Sequence, residues 1–128
     1  MKKTERLVSL LIILGFALTA LSAYALVLPS LALHAFTLGG IGVLTLGMMA
    51  RVSLGHTGRA LRVSNAMAIG FVLINLAALL RVLLPIALPG WYGILMYMAT
   101  LAWLAAFSLF IFVYAPILTS ARIDGQEG

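Results

Sequence analysis

The chain has 128 residues, of which 64% are hydrophobic and 9% charged, with a formal net charge of +5 and a mean hydropathy of +1.19. A soluble domain carries roughly a quarter charged residues, and no soluble fold of this length could bury so much apolar surface. There is no cysteine, which excludes disulfides, thiolate metal sites, iron–sulfur clusters and thioether-attached haem.

The charges are segregated. None falls between Leu7 and Ala50, between Val63 and Leu80, or between Val82 and Ala121. Each gap holds one or two apolar runs of about 20 residues, the length that crosses a hydrocarbon core. Backbone groups in lipid must be satisfied within the segment, so the runs read as helices. In chain order they are expected from about Leu7 to Leu28, Leu33 to Arg51, Leu61 to Val82 and Trp91 to Leu118. Pro29-Ser30 separates the first two, and Pro85 and Pro89-Gly90 bound the third. The expected fold is an all-α four-transmembrane-helix bundle, one domain over residues 1–128, with the lipid bilayer as its main partner.

Orientation follows from the basic residues. Lys2, Lys3 and Arg6 precede the first helix, Arg51, Arg59 and Arg62 flank the loop between the second and third, and Arg122 follows the fourth. Seven of the eight therefore lie on one side, which predicts both termini in the cytoplasm. Tyr24, Trp91 and Tyr92 fall at the opposite interface. With the basic residues spent on topology and lipid anchoring, no nucleic-acid partner is expected. Met1 to Ala25 also imitates a secretory signal ending in Ala23-Tyr24-Ala25. The apolar run to Leu28 exceeds a usual signal core, so retention is the expectation.

The second helix is the unusual segment. His34 opens it and His56 follows it, and four glycines lie within it. On a helical wheel His34, Thr37, Ile41, Thr45 and Met48 share one stripe, while Gly40, Gly47 and Arg51 form a second face and Ala35, Gly39, Gly42 and Ala50 a third. Small residues permit close backbone approach, which predicts a central position for this helix. Neutral imidazole is a ligand for haem iron, copper and zinc, though an interfacial histidine is often only solvated. His34 and His56 are 22 residues apart, roughly 33 Å if helical throughout. They cannot both ligate one haem within a single chain, whereas two chains could share a haem with one histidine each. Arginines match carboxylates and phosphates, so Arg51, Arg59 and Arg62 suit haem propionates or lipid phosphates, and Arg81 suits lipid phosphate or a propionate near His34.

Asn75 lies in mid-span, where an interhelical hydrogen bond to Tyr97, Thr100 or Ser108 is expected. The methionines at Met48, Met49, Met67, Met96 and Met98 read as core filler ahead of copper ligands. The acidic residues Glu5, Asp124 and Glu127 all sit near the chain ends. No carboxylate pair or catalytic triad is available within the membrane, so no catalytic residue is assigned and a hydrolase or proton pump is unsupported.

The segment HAFTLGGIGVLTLGMMARVSLGHTGR, from His34 to Arg59, resembles the signature of the NnrS family of bacterial membrane proteins. The tail from Tyr114-Ala-Pro-Ile-Leu to Arg122-Ile-Asp-Gly and the Arg81-Val-Leu-Leu-Pro segment are similar to the same proteins. The family is known as haem- and copper-containing, in the inner membrane, and linked to the nitric oxide response. Its members are much longer, and this chain resembles their carboxy-terminal third. The resemblance implies haem b, or copper, at His34 or His56, with Arg51, Arg59, Arg62 and Arg81 as propionate partners. It implies NO binding or electron transfer in the inner (cytoplasmic) membrane, with a homo-oligomer or a membrane partner completing the site. The other reading is a cofactor-free structural or assembly subunit of a membrane complex.

Overall fold

The computed structural model describes residues 2–125, with the backbone alone for residues 2–8 and Leu11. The anchoring roles expected of the Lys2, Lys3 and Arg6 side chains, and the position of Glu127, lie outside what is described. The described residues are helical apart from short connections. Helix α1 covers Lys2–Ala23, α2 covers Pro29–His56, α3 covers Asn65–Ala87, and α4 covers Tyr92–Leu118 after a 3-10 turn at Pro89–Trp91. Among the described residues, α2, α3 and the segment Pro89–Leu118 are long and apolar enough to cross a membrane. Where the side chains of α1 are described without a break, Ile12–Ala23 forms a shorter apolar stretch.

The boundaries differ from expectation where capping chemistry intervenes. Helix α1 stops at Ala23, not Leu28. Leu26 N–H bonds the Leu21 carbonyl and Ala25 N–H bonds that of Ser22, with Ala25 at φ +56. This is the Schellman closure, in which the left-handed position normally falls to glycine. An L-residue there carries about 1–2 kcal/mol of steric cost, partly offset by its stiffer unfolded chain. Ala25→Gly is therefore expected to stabilise the protein by about 0.5–1 kcal/mol, read as a higher melting temperature by circular dichroism in detergent. Pro29, expected only to separate two helices, opens α2, since its fixed φ and missing N–H suit a first turn. Helix α3 begins at Asn65 because the Ser64 hydroxyl caps it, accepting the Met67 N–H at 3.2 Å.

Two helices contain widened turns. Residues Ala35–Gly42 of α2 and Leu79–Leu83 of α3 are π-helical. In α3 the cause is Pro85, which has no N–H to return to the Arg81 carbonyl. In α2 a Cβ at Gly42 would lie 3.3 Å from the Thr37 carbonyl oxygen, so the wide turn is built where a side chain would crowd it. Helix α1 packs against this stretch. A Cβ at Gly15 would stand 3.0 Å from the Phe36 ring, and Phe16 meets that ring edge-on at 4.8 Å.

As the glycines predicted, α2 is central and packs on α1, α3 and α4. Its second half supplies Val43, Leu46, Ala50 and Leu54 to a core completed by Met67, Ile74, Ala106, Phe110 and Tyr114. A smaller cluster of Leu18, Ala32, Ala35 and Val82 joins α1, α2 and α3. Thr37, Ile41, Thr45 and Met48 form the exposed stripe of α2. Asn75 departs from expectation. Its Nδ2 donates to the Phe71 carbonyl of its own helix at 2.7 Å, and its Oδ1 is buried without a partner among the described residues. Tyr97, Thr100 and Ser108 are exposed, and the Thr100 hydroxyl is taken by Met96 O.

Candidate functional site

The two ends of the bundle collect different chemistry. At one end the start of α2, the end of α3 and the start of α4 bring together His34, Arg81 and Met96. His34 closes the first turns of α2, and its Nδ1 lies 2.6 Å from the Ser30 carbonyl oxygen one turn earlier. A carbonyl only accepts, so this contact requires the proton on Nδ1. Nε2 then carries the lone pair. It accepts from Arg81 Nη2 at 3.1 Å, while Arg81 Nη1 donates to the Met96 sulfur. Both His34 and Arg81 are half-buried.

The widened turns place these side chains. His34 immediately precedes the π-helical stretch of α2, and Arg81 sits inside that of α3. Such bulges recur at functional sites because they re-aim a side chain without ending the helix. A groove of ≈ 340 Å³ adjoins the pair, walled by Thr37, Leu38, Ala99, Thr100 and Trp103. The Thr37 and Thr100 hydroxyls are committed to Leu33 and Met96 carbonyls in their own helices. The groove is thus bordered by the His34–Arg81 pair, in which the guanidinium holds the imidazole lone pair, and by an apolar aromatic wall. Metal-bound histidines have this second-shell pattern, with the other ring N–H fixed by a carbonyl. Among the described residues no three His, Cys, Asp or Glu side chains converge, so imidazole here is presented one ring at a time.

At the other end lie Arg51, His56, Arg59 and Arg62. His56 is exposed in the last turn of α2, roughly 30 Å along the helix from His34. The chain turns by a second Schellman closure. Arg59 N–H bonds Leu54 O, Gly58 N–H bonds Gly55 O, and Gly58 adopts φ +68. The carboxy-terminal tail folds onto this turn, with Ile123 N–H reaching Thr57 O at 3.4 Å and Arg122 held bidentately by Asp124 at 2.6 and 2.9 Å.

Arg59 has a structural partner that its sequence position did not reveal. Its guanidinium donates to Ser120 Oγ at 2.9 Å and to Ile117 O at 3.5 Å, capping the carbonyl end of α4. Arg59→Met is expected to fray that end, raising amide exchange at Thr119 and Ser120 about fivefold for about 1 kcal/mol of lost hydrogen bonding. Hydrogen–deuterium exchange with mass spectrometry checks it. Arg51 and Arg62 are exposed. The six candidate residues therefore divide into His34 with Arg81 at one end and the remaining four at the other. Met96, beside Arg81, was legible only as core filler.

The family model described as NnrS protein matches residues 6–122, nearly the whole chain, and the chain belongs to the NnrS family. Neither the curated proteins nor the solved structures give a match.

Proposed function

We propose, with NnrS membership as the premise, that this multi-pass protein binds haem b through His34 Nε2 and serves the nitric oxide response of the bacterial inner membrane. The observation that carries the reading is the Ser30 carbonyl at 2.6 Å from His34 Nδ1, which leaves Nε2 unprotonated, its lone pair held by Arg81 beside the groove that His34 lines. A neutral imidazole oriented by a backbone carbonyl suits haem iron, and copper is the second candidate for the same nitrogen. Arg81 is the cation within reach of a haem propionate, and Trp103 and Leu38 offer the apolar wall.

Haem held at His34 would supply NO binding or electron transfer there. The chain's own residues have three tasks. Ser30 fixes the ring and its tautomer. Arg81 satisfies Nε2 in the ligand-free protein and releases it when the nitrogen is engaged, with the Met96 sulfur as its other partner. Leu38, Ala99 and Trp103 would pack against the apolar part of the bound group. The remaining architecture in this reading is four crossings with both termini in the cytoplasm. Arg51, Arg59, Arg62 and Arg122 then lie inside, and Tyr24, Trp91 and Tyr92 occupy the outer interface.

An optical spectrum with metal analysis tests the proposal. Protein from haem-replete cells is expected to show a Soret band that shifts when NO is added to the reduced form. Colourless, metal-free protein that carries a stoichiometric membrane partner would instead favour a cofactor-free assembly role.

A further inference from the structure

At the end of the bundle remote from His34, a second groove of ≈ 360 Å³ is lined by Met48, Arg51, Val52, Gly55, His56, Leu61 and Arg122. Its floor is one stripe of α2, since positions 48, 51, 52, 55 and 56 recur at helical spacing. The floor rises about 12 Å from Met48 to His56 and changes character on the way, from thioether and isopropyl to guanidinium and imidazole. Leu61, from the α2–α3 connection, and Arg122, from the tail, form the facing walls.

We infer that this groove binds an anionic phospholipid, with its phosphate at Arg51, His56 and Arg122 and one acyl chain along Val52 and Met48. Two observations independent of the charge support a built site. Gly55 lies in the groove floor, and a Cβ added there would meet nothing within 4 Å. Neither packing nor backbone conformation demands glycine at this helical position, and glycine is the poorest helix former after proline. What its absent side chain leaves is groove volume. The other observation is the posture of Arg122. Its Nε and Nη2 are held by the two Asp124 oxygens, which fixes the orientation of the guanidinium and leaves Nη1 without a partner among the described residues.

A free phosphate would use only the rim. The apolar descent to Met48 and Val52, exposed on a membrane-spanning helix, argues for an amphiphile whose tail is already in lipid. Basic pockets at helix ends with apolar walls below match anionic lipids in both charge and depth.

The test uses the full chain in nanodiscs of equal phosphatidylglycerol and phosphatidylcholine, released into mild detergent and weighed by native mass spectrometry. Phosphatidylglycerol is expected to be retained about fivefold over phosphatidylcholine, a preference that one basic residue at an anionic surface can supply. Arg51→Gln is expected to remove most of this excess. Gly55→Leu should remove it too, although it changes no charge, while Arg62→Gln, outside the groove lining, should preserve it. Equal retention of the two lipids would overturn the inference. So would a full preference in Gly55→Leu, which would mean diffuse surface attraction, or complete displacement by inorganic phosphate, which would mean a headgroup-sized anion site. Loss of haem in Gly55→Leu would assign the groove to the cofactor and overturn it as well. An unchanged lipid preference in His34→Ala separates this groove from the haem reading.

Discussion

His34→Ala is expected to abolish the Soret band of haem-loaded protein, lowering haem retention more than about a hundredfold, while His56→Ala leaves the band in place. Loss of a partner that merely orients a ligating histidine costs about 10–100-fold in metal affinity, and loss of the ligand itself exceeds that. The asymmetry between the two histidines is the informative part. The His34 ring is fixed by Ser30 O and lines a walled groove, with its lone pair held by Arg81. The His56 ring is exposed in the last turn of α2, and among the described residues no carbonyl fixes it. His34→Ala also leaves Arg81 with only the Met96 sulfur as a partner. For that reason His34→Gln, which retains an acceptor near the guanidinium, should also be measured. A colourless His34→Gln with wild-type helicity assigns the loss to ligation and not to unfolding. A band that persists in His34→Ala and disappears in His56→Ala would move the haem to the other end of the bundle.

Gly58→Ala and Gly55→Ala are expected to change stability in opposite directions, although the residues are three apart in one turn. Gly58 has φ +68, where an L side chain is strained by about 1–2 kcal/mol. Its Cβ would also stand 2.7 Å from the Asp124 carboxyl group. Asp124 clamps Arg122, and the next residue, Ile123, is tied to Thr57 O. A methyl group at Gly58 therefore pushes the tail off the turn as well as straining it. We expect a loss of about 2–3 kcal/mol, read as a lower melting temperature in detergent together with faster amide exchange at Ile123. Gly55 is helical and faces open space, so alanine there gains roughly 0.5–1 kcal/mol of helix propensity. A neutral Gly58→Ala would mean that the tail does not rest on the α2–α3 turn, and a destabilised Gly55→Ala would mean that the space beside Gly55 is not open.

Much of the fold is legible in the sequence because the hydrocarbon core imposes a simple rule. Uncharged runs of sufficient length had to be helices, and α4 begins and ends within a residue of where Trp91 and Leu118 suggest. The central position of α2 follows from its small residues. Local chemistry decides what the runs do not. Pro29 breaks one helix and starts the next, and hydropathy cannot distinguish the two roles. Ser64, a polar residue just outside the span, determines the start of α3 by accepting one N–H.

The site was half legible. Charge and chain order place Arg81 and His34 at the same end. Their contact depends on two widened turns, and a strict helical wheel is silent about these because it assumes one angular step throughout. Pro85 and the run of glycines from Gly39 to Gly42 are the signals in retrospect. The protonation pattern of His34 was out of reach, since it rests on one backbone carbonyl. Arg59 has a role that the sequence did not suggest. Its type and place suggested an anion partner, and the folded chain uses it to cap α4.

The tautomer of His34 in the ligand-free protein is the most direct test, because the ligation argument rests on it and it can be measured without cofactor. Imidazole 15N shifts of histidine-labelled protein, with His34 assigned through a His56→Asn variant, report which ring nitrogen carries the proton. The account predicts a protonated Nδ1 and a bare Nε2. A proton on Nε2 with a bare Nδ1 would contradict it, since the nitrogen that Arg81 holds would then have no lone pair to give.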